Sequence, residues 1–184
     1  ENEIHLNFTA GNQSLNRRDD YLYTLFVPAR AHTVFPCIDQ PNMKGKFTLT
    51  LDVPADWKAV SNTYAQQEEY LAADAIVEAQ DEATYKKIHF AETEPLSTYL
   101  FAFATGVFEY QQFEEDGYRL GAYHRETDSL RIAQLPDIIH QVVFSLKWQE
   151  DFTGVKYPFP KYDLVILPGF QFGGMEHVGA TFYN

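Results

Sequence analysis

Hydrophobic and polar positions alternate with a period of two through much of the N-terminal part of the chain. Phe47, Leu49, Leu51 and Val53 are separated by Thr48, Thr50 and Asp52, a pattern that buries one face of a strand and wets the other. Pro54-Ala55-Asp56 breaks the run, Trp57 to Val60 begins another short strand, and Ser61-Asn62 ends it. Tyr85 to Phe90 reads as a further strand. Thr98 to Phe108 is β-branched, aromatic and nearly uncharged, which suits a strand buried on both faces, and Gly106 within it signals a bulge or a close backbone approach. Tyr118 to Tyr123 comes after the polar turn Glu114-Glu115-Asp116-Gly117. Short strands at this spacing predict a mainly β fold, a curved antiparallel sheet or sandwich.

The period changes after about residue 124. Ile139, Val142, Val143 and Leu146 follow one helical face. Pro136 and Asp137 suit a first turn, which tolerates proline and favours negative charge, and Gly154 is placed to end the helix. Tyr157-Pro158-Phe159-Pro160 is extended, because each proline disfavours helix in the residue before it. Tyr162 to Leu167 is a strongly apolar strand, and Gly173-Gly174 interrupts the segment after it. We therefore expect a β-domain over 1–124 and the opening of a mixed domain over 125–184, the latter short for a core of its own.

Composition narrows the class. With 45% hydrophobic and 22% charged residues among 184, the chain can bury a core, which excludes intrinsic disorder. No apolar run approaches the length that crosses a bilayer. The formal net charge of -12 argues against nucleic acid and anionic lipid as partners, since both repel a polyanion. Cys37 is the single cysteine, so no intrachain disulfide forms, and it reads as a small buried hydrophobe rather than a nucleophile. The acidic residues of 66–94 read as a solvated hairpin face rather than a cation site. The opening Glu1-Asn2-Glu3-Ile4-His5 has neither an initiator methionine nor the regions of a signal peptide. The sequence is accordingly expected to begin inside a longer or processed product, with its compartment left open.

Much familiar chemistry is missing from the sequence. None of the six histidines forms H-E-x-x-H, and there is no Cys-x-x-Cys, G-x-S-x-G or phosphate-cradling glycine loop. A zinc site of the H-E-x-x-H kind is therefore not expected within the chain. The informative stretch is Pro168-Gly-Phe-Gln-Phe-Gly173-Gly174-Met175-Glu176-His177. Two adjacent glycines carry an entropic cost that close approach of another backbone, such as a peptide along a strand edge, can offset. A carboxylate two residues later could meet that peptide's ammonium. Spacing alone favours a glycine turn followed by a surface glutamate, because Gly-Gly is common punctuation.

Several stretches together resemble one family. Phe35-Pro36-Cys37-Ile38-Asp39-Gln40-Pro41 with Lys44, Phe47 and Val53-Pro54, then Val60-Ser61-Asn62, is similar to the N-terminal β-domain of the aminopeptidase N-like zinc metallopeptidases, the gluzincin aminopeptidases. Tyr99 to Glu109 resembles that family's strand ending in Gly-x-Phe-Glu. Tyr157-Pro-Phe-Pro-Lys161-Tyr-Asp163 resembles the lead into its catalytic domain, and Gly173-Gly174-Met175-Glu176 resembles its exopeptidase motif, Gly-Ala/Gly-Met-Glu-Asn. The resemblance implies that Glu176 binds the free α-amine of a peptide and that Gly173, Gly174 and Met175 hold the peptide backbone. It also implies that 125–184 opens a thermolysin-like α+β domain (one helix plus strands) whose zinc-binding H-E-x-x-H lies beyond Asn184. The chain would then be an inactive fragment of a zinc aminopeptidase that binds no zinc itself. Its partners would be a peptide with a free N-terminus and the missing C-terminal part of the domain. Two positions depart from the pattern. His177 replaces the usual asparagine and, if protonated, would weaken amine binding beside Glu176. Val27 falls where an amine-contacting Gln or Glu is usual. The alternative reading is a noncatalytic β-sandwich binding module for carbohydrate or protein, motivated by the 16% aromatic content.

Overall fold

A computed structural model describes residues 2–27, 29–71 and 84–184. The chain divides into two compact units, Glu1–Gly106 and Val107–Asn184.

The first unit holds two antiparallel sheets. Strands β1 (Leu15–Arg17), β2 (Tyr21–Thr24), β7 (Phe103–Gly106) and β4 (Lys58–Ser61) form a sheet in the order β1-β2-β7-β4, and β3 (Thr50–Pro54), β6 (Tyr85–Phe90) and β5 (Ala65–Leu71) form one in the order β3-β6-β5. The alternation of Phe47 to Val53 is realised: Leu51 and Val53 turn toward Ile88 and Phe90, while Thr48, Thr50 and Asp52 are exposed. Phe26, Phe35, Phe47 and Phe101 form a ring cluster, with Phe47 and Phe101 stacked at 4.5 Å. Gly106 is a close approach, for a Cβ there would sit 2.4 Å from the Tyr21 Cβ.

The predicted strand Thr98–Phe108 is shorter than expected. Thr98–Leu100 is a 3-10 turn and the strand begins at Phe103. The hydroxyls explain this: Ser97 donates to the Pro41 carbonyl at 2.5 Å and Thr98 to Asp39 at 2.6 Å, so this stretch bonds to a loop instead of a ladder. The same Asp39 accepts the His32 backbone N–H at 3.1 Å. Burial raises its pKa, but the bonds from Thr98 and His32 outweigh that and hold it below the usual range.

The second unit is one mixed sheet with a helix on it. β8 (Glu109–Glu115) and β9 (Tyr118–His124) form a hairpin, followed by α1 (Ser129–Ile132), α2 (Leu135–Thr153), β10 (Tyr162–Ile166), β11 (Gly174–Met175) and β12 (Ala180–Tyr183), in the order β11-β12-β10-β9-β8. The hairpin turns through Asp116 and Gly117, both at positive φ, the two-residue turn whose twist matches paired strands. β9 and β12 flank β10 as parallel neighbours. The hairpin is thus part of the second unit's sheet, and the expected division after His124 lies within that unit. Helix α2 follows its predicted spacing. Ile139 and Val143 pack on Leu120 and Leu164, and Gly154 ends the helix in the left-handed region at φ 69°. No helix among the described residues is long and apolar enough to cross a membrane.

Of the acidic residues in 66–94, Glu68 pairs with Lys86 at 3.0 Å and Glu92 with Lys46 at 2.7 Å. Asp74, Glu78, Asp81 and Glu82 lie outside the described residues.

Candidate functional site

Gly173 to His177 runs along one edge of the five-stranded sheet. β11 pairs on one side with β12, through Gly174 with Tyr183 and Met175 with Phe182, and it is the terminal strand of the sheet. Burial alternates along it: Gly174 is exposed, Met175 buried, Glu176 exposed and His177 buried. Met175 and His177 therefore anchor the segment inward, and the Glu176 carboxylate between them points out. Among the described residues no cation pairs with Glu176.

The two glycines differ in what the fold asks of them. A Cβ on Gly174 would meet the Tyr183 ring at 3.3 Å, which packing makes tight. A Cβ on Gly173 would meet nothing within 4 Å. Packing within the chain therefore does not require Gly173 to lack a side chain.

His177 is 1% exposed and stacks edge-on against Phe182 at 4.5 Å. Among the described residues neither ring nitrogen has a hydrogen-bond partner. Burial drives its pKa down to about 3, because an imidazolium there would be charged and dry. The ring is thus neutral at physiological pH, and the condition under which it would weaken amine binding beside Glu176 is not met. Nor does the ring reach the surface from which Glu176 projects. Val27 sits in a half-buried turn after β2 in the first unit.

Behind the edge lies a set of residues to which the sequence pattern assigned no role. Lys161 and Asp163 alternate onto one face of the chain at β10, both nearly fully buried, with the Lys161 ammonium 2.5 Å from the Asp163 carboxylate. Lys161 also donates to the Gly179 carbonyl at 2.9 Å, and the Asp163 backbone N–H donates to that same oxygen at 3.0 Å. The Gly179 N–H donates to the Tyr157 hydroxyl, which in turn donates to the Lys161 carbonyl at 3.1 Å. Gly121 makes room for the pair, since a Cβ there would stand 2.6 Å from the second Asp163 oxygen. The sequence signal was available: two opposite charges, two residues apart, bracketing the start of an apolar strand.

A groove of about 510 Å³ opens beside α2, lined in part by Ile138, Val142, Leu164, Ile166 and Tyr183. No residue of Gly173–His177 lines it, so the groove and the edge strand are separate features. Among the described residues no group of three or more His, Cys, Asp or Glu could hold a metal ion. Burial pushes the Cys37 thiol pKa up, which keeps it protonated and unreactive.

Comparison with known proteins matches both parts of the chain. Residues 8–100 match the peptidase M1 N-terminal domain and residues 139–184 the peptidase family M1 domain. This chain belongs to the M1 peptidase family. It is 35% identical over 162 residues to aminopeptidase M1-A of Oryza sativa subsp. japonica, covering 88% of this chain and 17% of that protein. It is 33% identical over 168 residues to probable aminopeptidase 2 of Sulfurisphaera tokodaii, covering 88% and 19%. To the puromycin-sensitive aminopeptidase of Caenorhabditis elegans it is 30% identical over 168 residues, covering 88% and 16%. The chain thus spans less than a fifth of the length of these relatives.

Proposed function

We propose that this chain is the part of a zinc-dependent aminopeptidase that receives the substrate's N-terminus. In this reading the N-terminal β-domain runs over 1–124 in sequence, and its last hairpin, β8-β9, joins the sheet of the thermolysin-like catalytic domain that 125–184 open. In this reading an extended peptide adds to the free edge of β11 through the main chain of Gly173, Gly174 and Met175. Glu176 takes the peptide's α-ammonium in a charge-assisted bond. His177 acts from below, as a neutral anchor that fixes the direction of Glu176 without touching the amine.

One observation carries the reading: an exposed carboxylate, with no cation paired to it among the described residues, projects between two buried anchors at the end of a terminal strand, three residues after a glycine that packing does not require. The described residues do not fit a zinc ion, since no three potential ligands converge. The metal, which would polarise the scissile carbonyl and activate water, belongs in this reading to residues outside this sequence, and no step of the chemistry is assigned to it.

The test is Glu176→Gln in the peptidase that carries this sequence. A bond to a charged group contributes about 1.5–3 kcal/mol, so kcat/KM on peptides with a free N-terminus should fall by roughly 10- to 150-fold. Unchanged kinetics would remove Glu176 from the site. The binding-module alternative gains little support from the family match, although Phe144, Trp148 and Phe152 on α2 are exposed while Tyr23, Phe26, Phe90, Phe101 and Phe108 are buried.

A further inference from the structure

The direction of Glu176 is set from both ends of its loop. At one end β11 pairs with β12. At the other the chain turns at Gly179, in the left-handed region at φ 71°. Between them lie two main-chain bonds, His177 N–H to the Met175 carbonyl at 2.9 Å and Ala180 N–H to the His177 carbonyl at 3.2 Å. Neither uses the Glu176 side chain.

We propose that Lys161 is a positioning residue for Glu176: its buried ammonium, balanced by Asp163 and bonded to the Gly179 carbonyl, fixes the turn behind the amine-binding carboxylate. This rests on the amine-binding role proposed for Glu176. The geometry favours a positioning role over a purely stabilising one. A buried ion pair is a poor source of stability, and well-packed apolar residues often replace one without loss. Here, however, the ammonium does not end on a second side chain. It uses the second lone pair of a backbone oxygen that the Asp163 N–H already occupies, while Tyr157 holds the N–H of the same residue. Three groups thus converge on the one glycine that ends the Glu176 loop. Gly121 leaves the space that Asp163 needs to balance the charge.

The experiment uses the M1 peptidase that carries this sequence, with two readouts. One is amide hydrogen exchange of His177 to Ala180 by mass spectrometry, with α2 as internal reference. The other is the ratio of affinities for a short peptide with a free N-terminus and its N-acetylated form, from competitive inhibition of the peptidase. Lys161→Met should speed exchange in the loop by about tenfold or more and lower the free-over-acetylated ratio by about tenfold, with exchange in α2 unchanged. A wild-type ratio in K161M would overturn the proposal, even with a looser loop, since the lysine would then be structural only. Should K161M fail to fold, Tyr157→Phe decides, because it removes one hydroxyl at the Gly179 N–H. Faster exchange at Gly179 with a reduced ratio supports the proposal, and an unchanged ratio overturns it. Glu176→Gln separates this claim from the reading beneath it. If E176Q keeps the preference for a free amine, the amine-binding role fails and this inference fails with it. If E176Q loses the preference while K161M keeps it, the positioning claim alone fails.

Discussion

Glu150, on the last turn of α2, accepts the backbone N–H of Tyr157 at 2.8 Å and the Lys156 ammonium at 2.7 Å. Its backbone carbonyl meanwhile accepts the Gly154 N–H that caps the helix. One residue thus ends the helix and fixes the extended segment that leads into β10. The side chain is 6% exposed, and the bonds from Lys156, Tyr157 and Tyr118 hold its carboxyl at about 2.

That depression has a sign. A carboxyl whose folded pKa lies below its unfolded value contributes stability above the unfolded value, near 4.5, and loses it as pH falls toward 2. Urea unfolding of the chain between pH 5 and pH 2 should therefore show a steeper loss in wild type than in Glu150→Gln. Parallel slopes for the two proteins would remove Glu150 from the acid response.

His177 contributes in a higher window. Its folded pKa, about 3, lies below the unfolded value of 6.5, so the unfolded chain binds the extra proton and stability falls as pH drops from 6.5 toward 3. In the folded chain the His177 ring should stay neutral at pH 5 by NMR. Replacing it with Phe should flatten the loss of stability between pH 6.5 and 4.5. A ring that titrates near neutrality would undo the account of His177 as a buried neutral anchor.

Two glycines should respond in opposite ways to alanine. Gly106→Ala places a Cβ 2.4 Å from Tyr21, and forcing β2 and β7 apart should cost about 1–3 kcal/mol. Gly173→Ala meets nothing within 4 Å, so stability should stay within about 0.5 kcal/mol of wild type while affinity for a peptide drops. Thermal melts and peptide titration separate the two effects. A Gly173→Ala chain that binds peptide normally would mean that the open space at Gly173 has no binding role.

Much of the fold was legible in the sequence, for physical reasons that differ by element. Helix α2 was readable because its buried residues Ile139, Val143 and Leu146 repeat on one face, between Pro136 and a terminating Gly154. The strand carrying Leu51 and Val53 was readable because one of its faces is wet. β8 was not, because Glu109 to Glu115 is polar and exposed at a sheet edge. The start of β7 was misjudged, since the Ser97 and Thr98 hydroxyls bond to a loop, a long-range choice invisible to local pattern. At the candidate site, the sequence left Gly173 to Glu176 open between a strand edge and a glycine turn, and it gave no burial for His177. Alternation beyond Met175 puts it inside. The convergence of Lys161, Asp163 and Tyr157 on Gly179 depends on β10 lying beside β12, and only the folded sheet supplies that.

The central claim is that the free edge of β11 holds a peptide's N-terminus with Glu176 on its amine. The most direct measurement is a crystal structure of the M1 peptidase carrying this sequence, with a peptide bound. We expect the peptide backbone on the main chain of Gly173–Met175, and a Glu176 oxygen about 2.7–2.9 Å from the α-amine. A bound peptide whose amine is held elsewhere, with the edge of β11 bare, would contradict the account.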